Sequence, residues 1–372
     1  MFLSTSISWA QNQTKMVEDS TIIFEEVVVS GNRFEQLLKE SPQNIEIIDK
    51  KQIAFQNSGN AALLLEQSGN VYVQKSQAGG GSPVLRGFEA NKILLVVDGV
   101  RLNNAIYRGG HLQNVLRIDQ NILERVEVVF GPSSVNYGSD AFGGVMHFRT
   151  KDPKFESIRG NAYTRYGTVN QEKTLHLDFN LGLKEVAFLS SISLSDFGDL
   201  RMGKNYKKGY EGFGLRPFYI QSNGGTDQLI PNEKPFIQTP SGYTQADFLQ
   251  KIKFKTGDLV HVFNLQASLS SDIPRYDRLT QISDAGSLRF GDWYYGPEFR
   301  SLLSYGLRLP ETKWYGQASI TTAVQFIGES RNTRVLNGLQ LKEQKESVNV
   351  FSLNMDFQKK KDRHSFQYGI EL

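Results

Sequence analysis

From residue 158 to residue 372, apolar and polar side chains alternate. Leu175, Leu177, Phe179 and Leu181 are interleaved with His176, Asp178 and Asn180, and the same period of two runs, less cleanly, through 259–270, then 318–326 and 351–357. Successive side chains of a strand point to opposite faces, so the pattern predicts strands whose two faces meet different surroundings. Nine are predicted, at 158–167, 173–182, 186–195, 244–255, 259–270, 301–309, 314–327, 347–358 and 364–372. Their connections fall into two classes. Those at 183–185, 256–258, 310–313 and 359–363 are short and polar, while 196–243, 271–300 and 328–346 are long; on the long side only 168–172 is brief. A soluble β-sandwich also alternates, but it has no reason to sort its loops. Short turns on one side and long loops on the other are what an antiparallel transmembrane β-barrel shows. Nine is an odd number and the last segment stops in mid-pattern, so the reading expects the N-terminal part of a longer barrel.

Before residue 154 the period changes. Residues 58–68 read as a short amphipathic helix, followed by Gly69 and a strand at 70–74. Ile93–Val97 reads as a buried strand ending at the turn signal Asp98-Gly99, and 122–130 ends in a strand stopped by Gly131-Pro132. Glycines cluster at 79–81, 109–110, 131, 138 and 143–144, where the backbone must turn tightly or pass close to something. This predicts a small α+β domain over 32–153. Residues 1–10, closing on Ser-Trp-Ala, read as a signal-peptide remnant that lacks its basic start. A polar linker follows over 11–31. Within it Glu26-Val27-Val28-Val29-Ser30 is a β-branched run: an edge-seeking strand, or simply the first strand of the next domain.

Charge and composition narrow the function. Lys and Arg number 42 against 39 acidic residues, a net charge of +3, which gives no reason to expect nucleic acid as partner. Zero cysteines remove disulfide scaffolds, thiolate zinc sites and cysteine nucleophiles. The longest apolar run, Ile93–Val97, falls far short of the ~20 residues of a membrane helix, a limit that leaves barrels untouched. The five histidines are scattered and no catalytic constellation is legible, so no enzyme is expected. His111 stands apart, in a loop after Gly109-Gly110. Imidazole is a natural haem-iron ligand and glycines let a backbone approach a flat macrocycle. Arg108 suits a propionate, and Tyr107 suits stacking or iron. The alternative is that His111 caps a loop.

Val84-Leu85-Arg86-Gly87-Phe88, Val97-Asp98-Gly99-Val100, Leu123-Glu124-Arg125-Val126-Glu127-Val128, Gly131-Pro132, Tyr137-Gly138 and Gly143-Gly144-Val145 follow one another in a family's order and spacing. They resemble the plug of TonB-dependent outer-membrane receptors, almost continuously over 25–150. The resemblance implies an α+β plug inside a transmembrane β-barrel of 22 strands, of which about nine are present. It implies an outer-membrane location, with long loops outside and plug and TonB box facing the periplasm. Glu26, Val27, Val28, Val29 and Ser30 resemble the TonB box, which pairs with TonB, energised by ExbB and ExbD. Arg86 and Arg125 are implied to be buried against barrel glutamates, which are expected on the strands still missing. Gly110-His111-Leu112 resembles the plug tripeptide of haem and haemoglobin receptors, with His111 as haem ligand. The expectation is import of haem, or of haem from haem-proteins, as transported ligand and not as a resident cofactor. Siderophore or cobalamin import is the alternative, and a non-transporting surface capture protein is a third reading.

Overall fold

Five consecutive apolar residues can be accommodated only where both faces of a strand are covered. In the computed structural model, which describes residues 27–28, 33–75, 78–102, 105–106, 114–205, 209–210, 212–223, 226–284, 286–361 and 364–372, that strand lies within the first of two bodies. The elements of this plug are β1 (Asn44–Asp49), α1 (Lys50–Gln56), α2 (Ala61–Gln67), β2 (Tyr72–Gln74), β3 (Ser82–Val84), β4 (Ile93–Val97), β5 (Val100–Arg101), β6 (Leu123–Phe130) and β7 (Gly144–Thr150). Its five-stranded sheet has the order β1-β6-β7-β4-β5; β4 and β7 run parallel and the other neighbours antiparallel. The caps are local: Asp49 accepts from the Gln52 N–H at 2.7 Å, and Asn60 from the Leu63 N–H at 3.0 Å. The β4–β5 turn places Asp98 at φ +48° and Gly99 at φ +87°, the two left-handed residues of a tight hairpin. Leu64, Leu65, Leu95, Val128, Met146 and Phe148 form the core, which extends onto Leu302 and Ala323 of the second body.

That second body is a curved wall. It comprises β8 (Ile158–Gly167), β9 (Glu172–Gly182), β10 (Val186–Phe197), β11 (Tyr243–Thr256), β12 (Leu259–Ser270), β13 (Phe299–Leu309), β14 (Gln317–Val335), β15 (Lys342–Lys361) and β16 (His364–Glu371). Each pairs antiparallel with the next in chain order. Among the described residues β8 and β16 are each paired on one side only, so the sheet stands open. All nine predicted strands are present. β14 and β15 are longer than predicted, at 19 and 20 residues, because their outer halves carry charged and polar residues with no apolar period to read. The long loops hold strands that the pattern did not show: a hairpin at Phe218–Asn223 and Thr226–Pro231, and Phe290–Tyr295, which pairs with the outer half of β14.

The wall's two faces reverse the arrangement of a soluble sheet. Glu172, Thr174, His176, Asp178 and Asn180 are buried toward the plug, while Leu175, Leu177 and Phe179 are 40, 43 and 49 % exposed. An apolar outside and a polar inside is the alternation that lipid demands.

Candidate functional site: the plug–wall interface

Because the wall offers the plug polar side chains, the two bodies meet through hydrogen bonds and ion pairs. Each buried group needs a partner, since an uncompensated buried charge costs several kcal/mol. The Lys251 ammonium, almost fully buried on β11, lies 3.2 Å from Asp98 of the β4–β5 turn and 3.2 Å from Asp152, just after β7. Asp98 also accepts from Thr150 Oγ1 at 2.6 Å, and from Asn264 and Gln266 of β12 at 3.2 and 3.3 Å. The turn that forces Asp98 into a left-handed conformation thus presents its carboxylate to the wall. Burial alone raises the Asp152 carboxyl, but Lys251, Lys253 and Arg149 hold it well below the usual carboxylate range.

A second anchor runs through three wall residues. Ser193 of β10 donates to plug Asp119 at 2.6 Å and lies 2.7 Å from His176 Nδ1. His176 Nε2 is 3.1 Å from Asp178, whose carboxylate accepts from plug Lys151 at 2.7 Å and from Asn161 at 2.8 Å. Both ends of this chain are plug residues. Burial pushes the Asp119 carboxyl up, against the hydrogen bonds from Ser193 and the Asn121 N–H. Ser193, His176 and Asp178 have the order of a hydrolytic triad, but all three are buried, and Ser193 and Asp178 are engaged by plug residues.

Three plug arginines complete the interface. Arg33 pairs with Asp356 at 3.3 Å and with Glu371; Arg101 pairs with Glu371 at 3.1 Å and with Asp140 at 2.8 Å; Arg117 lies 3.4 Å from the buried Glu298. Toward the long loops, Phe197, Tyr243, Ile273 and Tyr295 roof the plug's glycine-rich segment near Ala78. A Cβ on Gly79 would come within 2.6 Å of Ile273, so only glycine fits beneath that roof. Toward the short turns, a cavity of about 380 Å³ separates plug from wall, lined by Asp98, His147, Arg149, Lys251, Asn264 and Asp356 among others. His147 accepts from the Gly99 N–H at 3.2 Å through Nε2; burial, reinforced by Arg149, pushes its pKa down to about 4.

The predicted site residues fare unevenly. Val27 and Val28 pair antiparallel with Leu37 and Gln36 in a separate two-stranded sheet. Glu26, Val29 and Ser30 lie outside the described residues, as do Tyr107, Arg108 and His111. Arg86 and Arg125 have local neighbours among the described residues. Arg86 is exposed, with its guanidinium 4.9 Å over the Phe130 ring. Arg125 pairs at 2.6 Å with Glu127, two residues on along the same face of β6, which is nearer than any wall carboxylate. Sequence reasoning missed Arg33, Arg101, Arg117 and Lys251. For Lys251 a signal existed, since it occupies an inward position of the period-two pattern.

Residues 37–145 match the family model of the TonB-dependent receptor plug domain. The vitamin B12 transporter BtuB of Vibrio vulnificus strain CMCP6 is 28% identical over 291 residues, covering 78% of this chain and 40% of that protein. The hemin receptor of Yersinia pestis is 27% identical over 201 residues, covering 52% and 29%. Among solved structures, a double mutant of the Serratia marcescens hemophore receptor HasR, in complex with its hemophore HasA and heme, matches with a TM-score of 0.67 at 15% identity, over 89% of this chain and 44% of that one. The ferric enterobactin receptor PfeA matches with a TM-score of 0.63 at 16% identity, over 90% and 49%. The chain thus spans less than half the length of these relatives. With a plug domain at 37–145 and a polar-lined antiparallel wall around it, the chain carries the plug of TonB-dependent receptors and is similar in sequence and fold to outer-membrane receptors of that kind.

Proposed function

We propose that this chain serves the TonB-dependent import of haem, or of haem taken from haem-proteins, across the outer membrane. The observation that carries the transport reading is a separately folded plug held to its wall by polar contacts, which can be broken and remade. In this reading Glu26–Ser30 is the segment that TonB, energised by ExbB and ExbD, takes up as a strand; the pairing of Val27–Val28 with Gln36–Leu37 supports it. The short turns then face the periplasm and the long loops the outside. Haem is favoured by the Gly110-His111-Leu112 tripeptide, by the Yersinia relatives named as hemin receptors and by the HasR likeness in fold. His111 is the proposed iron ligand, with Tyr107 and Arg108 beside it. Cobalamin is the second reading, favoured by vitamin B12 transporters that align over 78 and 89% of the chain.

The test is uptake of radiolabelled haemin and cyanocobalamin by cells carrying the full-length gene product. Haemin uptake should depend on TonB and vanish when Glu26–Ser30 is deleted, with surface binding kept. His111→Ala should shift the haem absorption band and reduce uptake, while His176→Ala and His261→Ala leave the band in place. Uptake of cyanocobalamin alone moves the assignment to the second reading. Uptake of neither overturns both.

A further inference from the structure

On the face turned away from the plug, the strand register aligns Leu175, Leu194, Ala246 and Leu269 in one row across β9 to β12. The next row toward the long loops holds Lys173, Asp196 and Thr244. The first is the last apolar row of the outward belt, and the second is polar. Leu194 and Leu269 are 45 and 52 % exposed, and Ala246 stands between them. A methyl flanked by two isobutyl groups leaves a notch, and here it opens into a groove of about 950 Å³ with Tyr166, Lys173 and Asp196 at its mouth. The Lys173 side chain is 70 % exposed there, 3.7 Å from Asp196.

We propose that this groove binds one anionic, phosphate-bearing lipid, with an acyl chain over Ala246 between Leu194 and Leu269 and the phosphate at Lys173. The floor continues the lipid-facing belt, so its occupant is hydrocarbon, and each methylene buried there stabilises the complex. The mouth sits where apolar gives way to polar, the depth at which a headgroup lies. Lysine at that depth attracts anionic headgroups. Asp196 is the opposing charge, and it keeps the attraction moderate. The proposal rests on the membrane reading of the wall and is independent of the import reading.

The experiment is native mass spectrometry of the delipidated full-length gene product in detergent, titrated separately with hexa-acyl lipid A, phosphatidylglycerol and phosphatidylcholine. One site should prefer the two anionic lipids over phosphatidylcholine. Lys173→Gln should weaken anionic binding about fivefold and leave phosphatidylcholine unchanged. Asp196→Asn should tighten anionic binding. Ala246→Phe should weaken all three by about tenfold by filling the notch. The exposed Lys173 and Asp196 variants carry the test should the bulkier one fail to insert. Equal affinity for all three lipids, or anionic binding unmoved by Lys173→Gln and Asp196→Asn, overturns the proposal.

Discussion

Plug and wall are built by opposite rules from the same amino acids. In the plug, β4 buries five apolar residues to 1 % exposure or less, and the core beneath it resembles that of any soluble domain. In the wall, leucine and phenylalanine are outermost, while a histidine, a lysine and several carboxylates are innermost. The difference shows that burial follows the medium on each side and not hydrophobicity alone. It also explains the interface: a plug inside a largely polar lumen is held mainly by contacts that water could replace, with a few apolar contacts such as those to Leu302 and Ala323.

The largest expected effect breaks the comparison at its polar seam. Lys251→Met leaves Asp98 and Asp152 without their buried cation and should destabilise plug docking by about 3–5 kcal/mol. Denaturant-dependent pulse proteolysis of the plug should register this as a lower midpoint, and an unchanged midpoint would show that Asn264, Gln266 and Thr150 suffice. On the wall's outer face, Phe179→Arg should cost about 2–4 kcal/mol of insertion stability, as expected of a cation in hydrocarbon. Refolding into bilayers measures it, and a cost near zero would mean that this face meets water. The smallest effect lies inside the plug and has a pH signature. The His147 pKa falls from an unfolded value near 6.5 to about 4 in the folded plug, so the unfolded chain binds the proton first. Its contribution is fully present above pH 6.5 and fades as pH falls toward 4, by up to ~3 kcal/mol. In His147→Gln, plug stability should lose that slope between pH 6.5 and 4, read from melting curves at each pH.

The wall was legible because lipid enforces a period of two. The outer halves of β14 and β15 were not, because Arg331, Arg334 and Lys342–Glu346 stand beyond the apolar belt, where nothing enforces alternation. The plug's strands and turns were legible from short apolar runs and glycines. Its partners were not. Asp98 reads as a turn residue, and only the fold shows that the same turn aims a carboxylate at Lys251. Arg125 and Glu127 read as alternate residues of one strand, and only the fold shows that they pair at 2.6 Å. Periodicity tells which face a side chain occupies, but it is silent on how one body is rotated within another.

The pairing of Val27–Val28 with Gln36–Leu37 has a mechanical consequence. Antiparallel partners so close in sequence peel apart one hydrogen bond at a time under tension applied from the N-terminal side, and this geometry offers little resistance. Once they part, the load falls on Arg33, clamped to Asp356 and Glu371 on β15 and β16. A pull applied at residue 27 would therefore load two wall strands through Arg33 before it reached the plug's sheet.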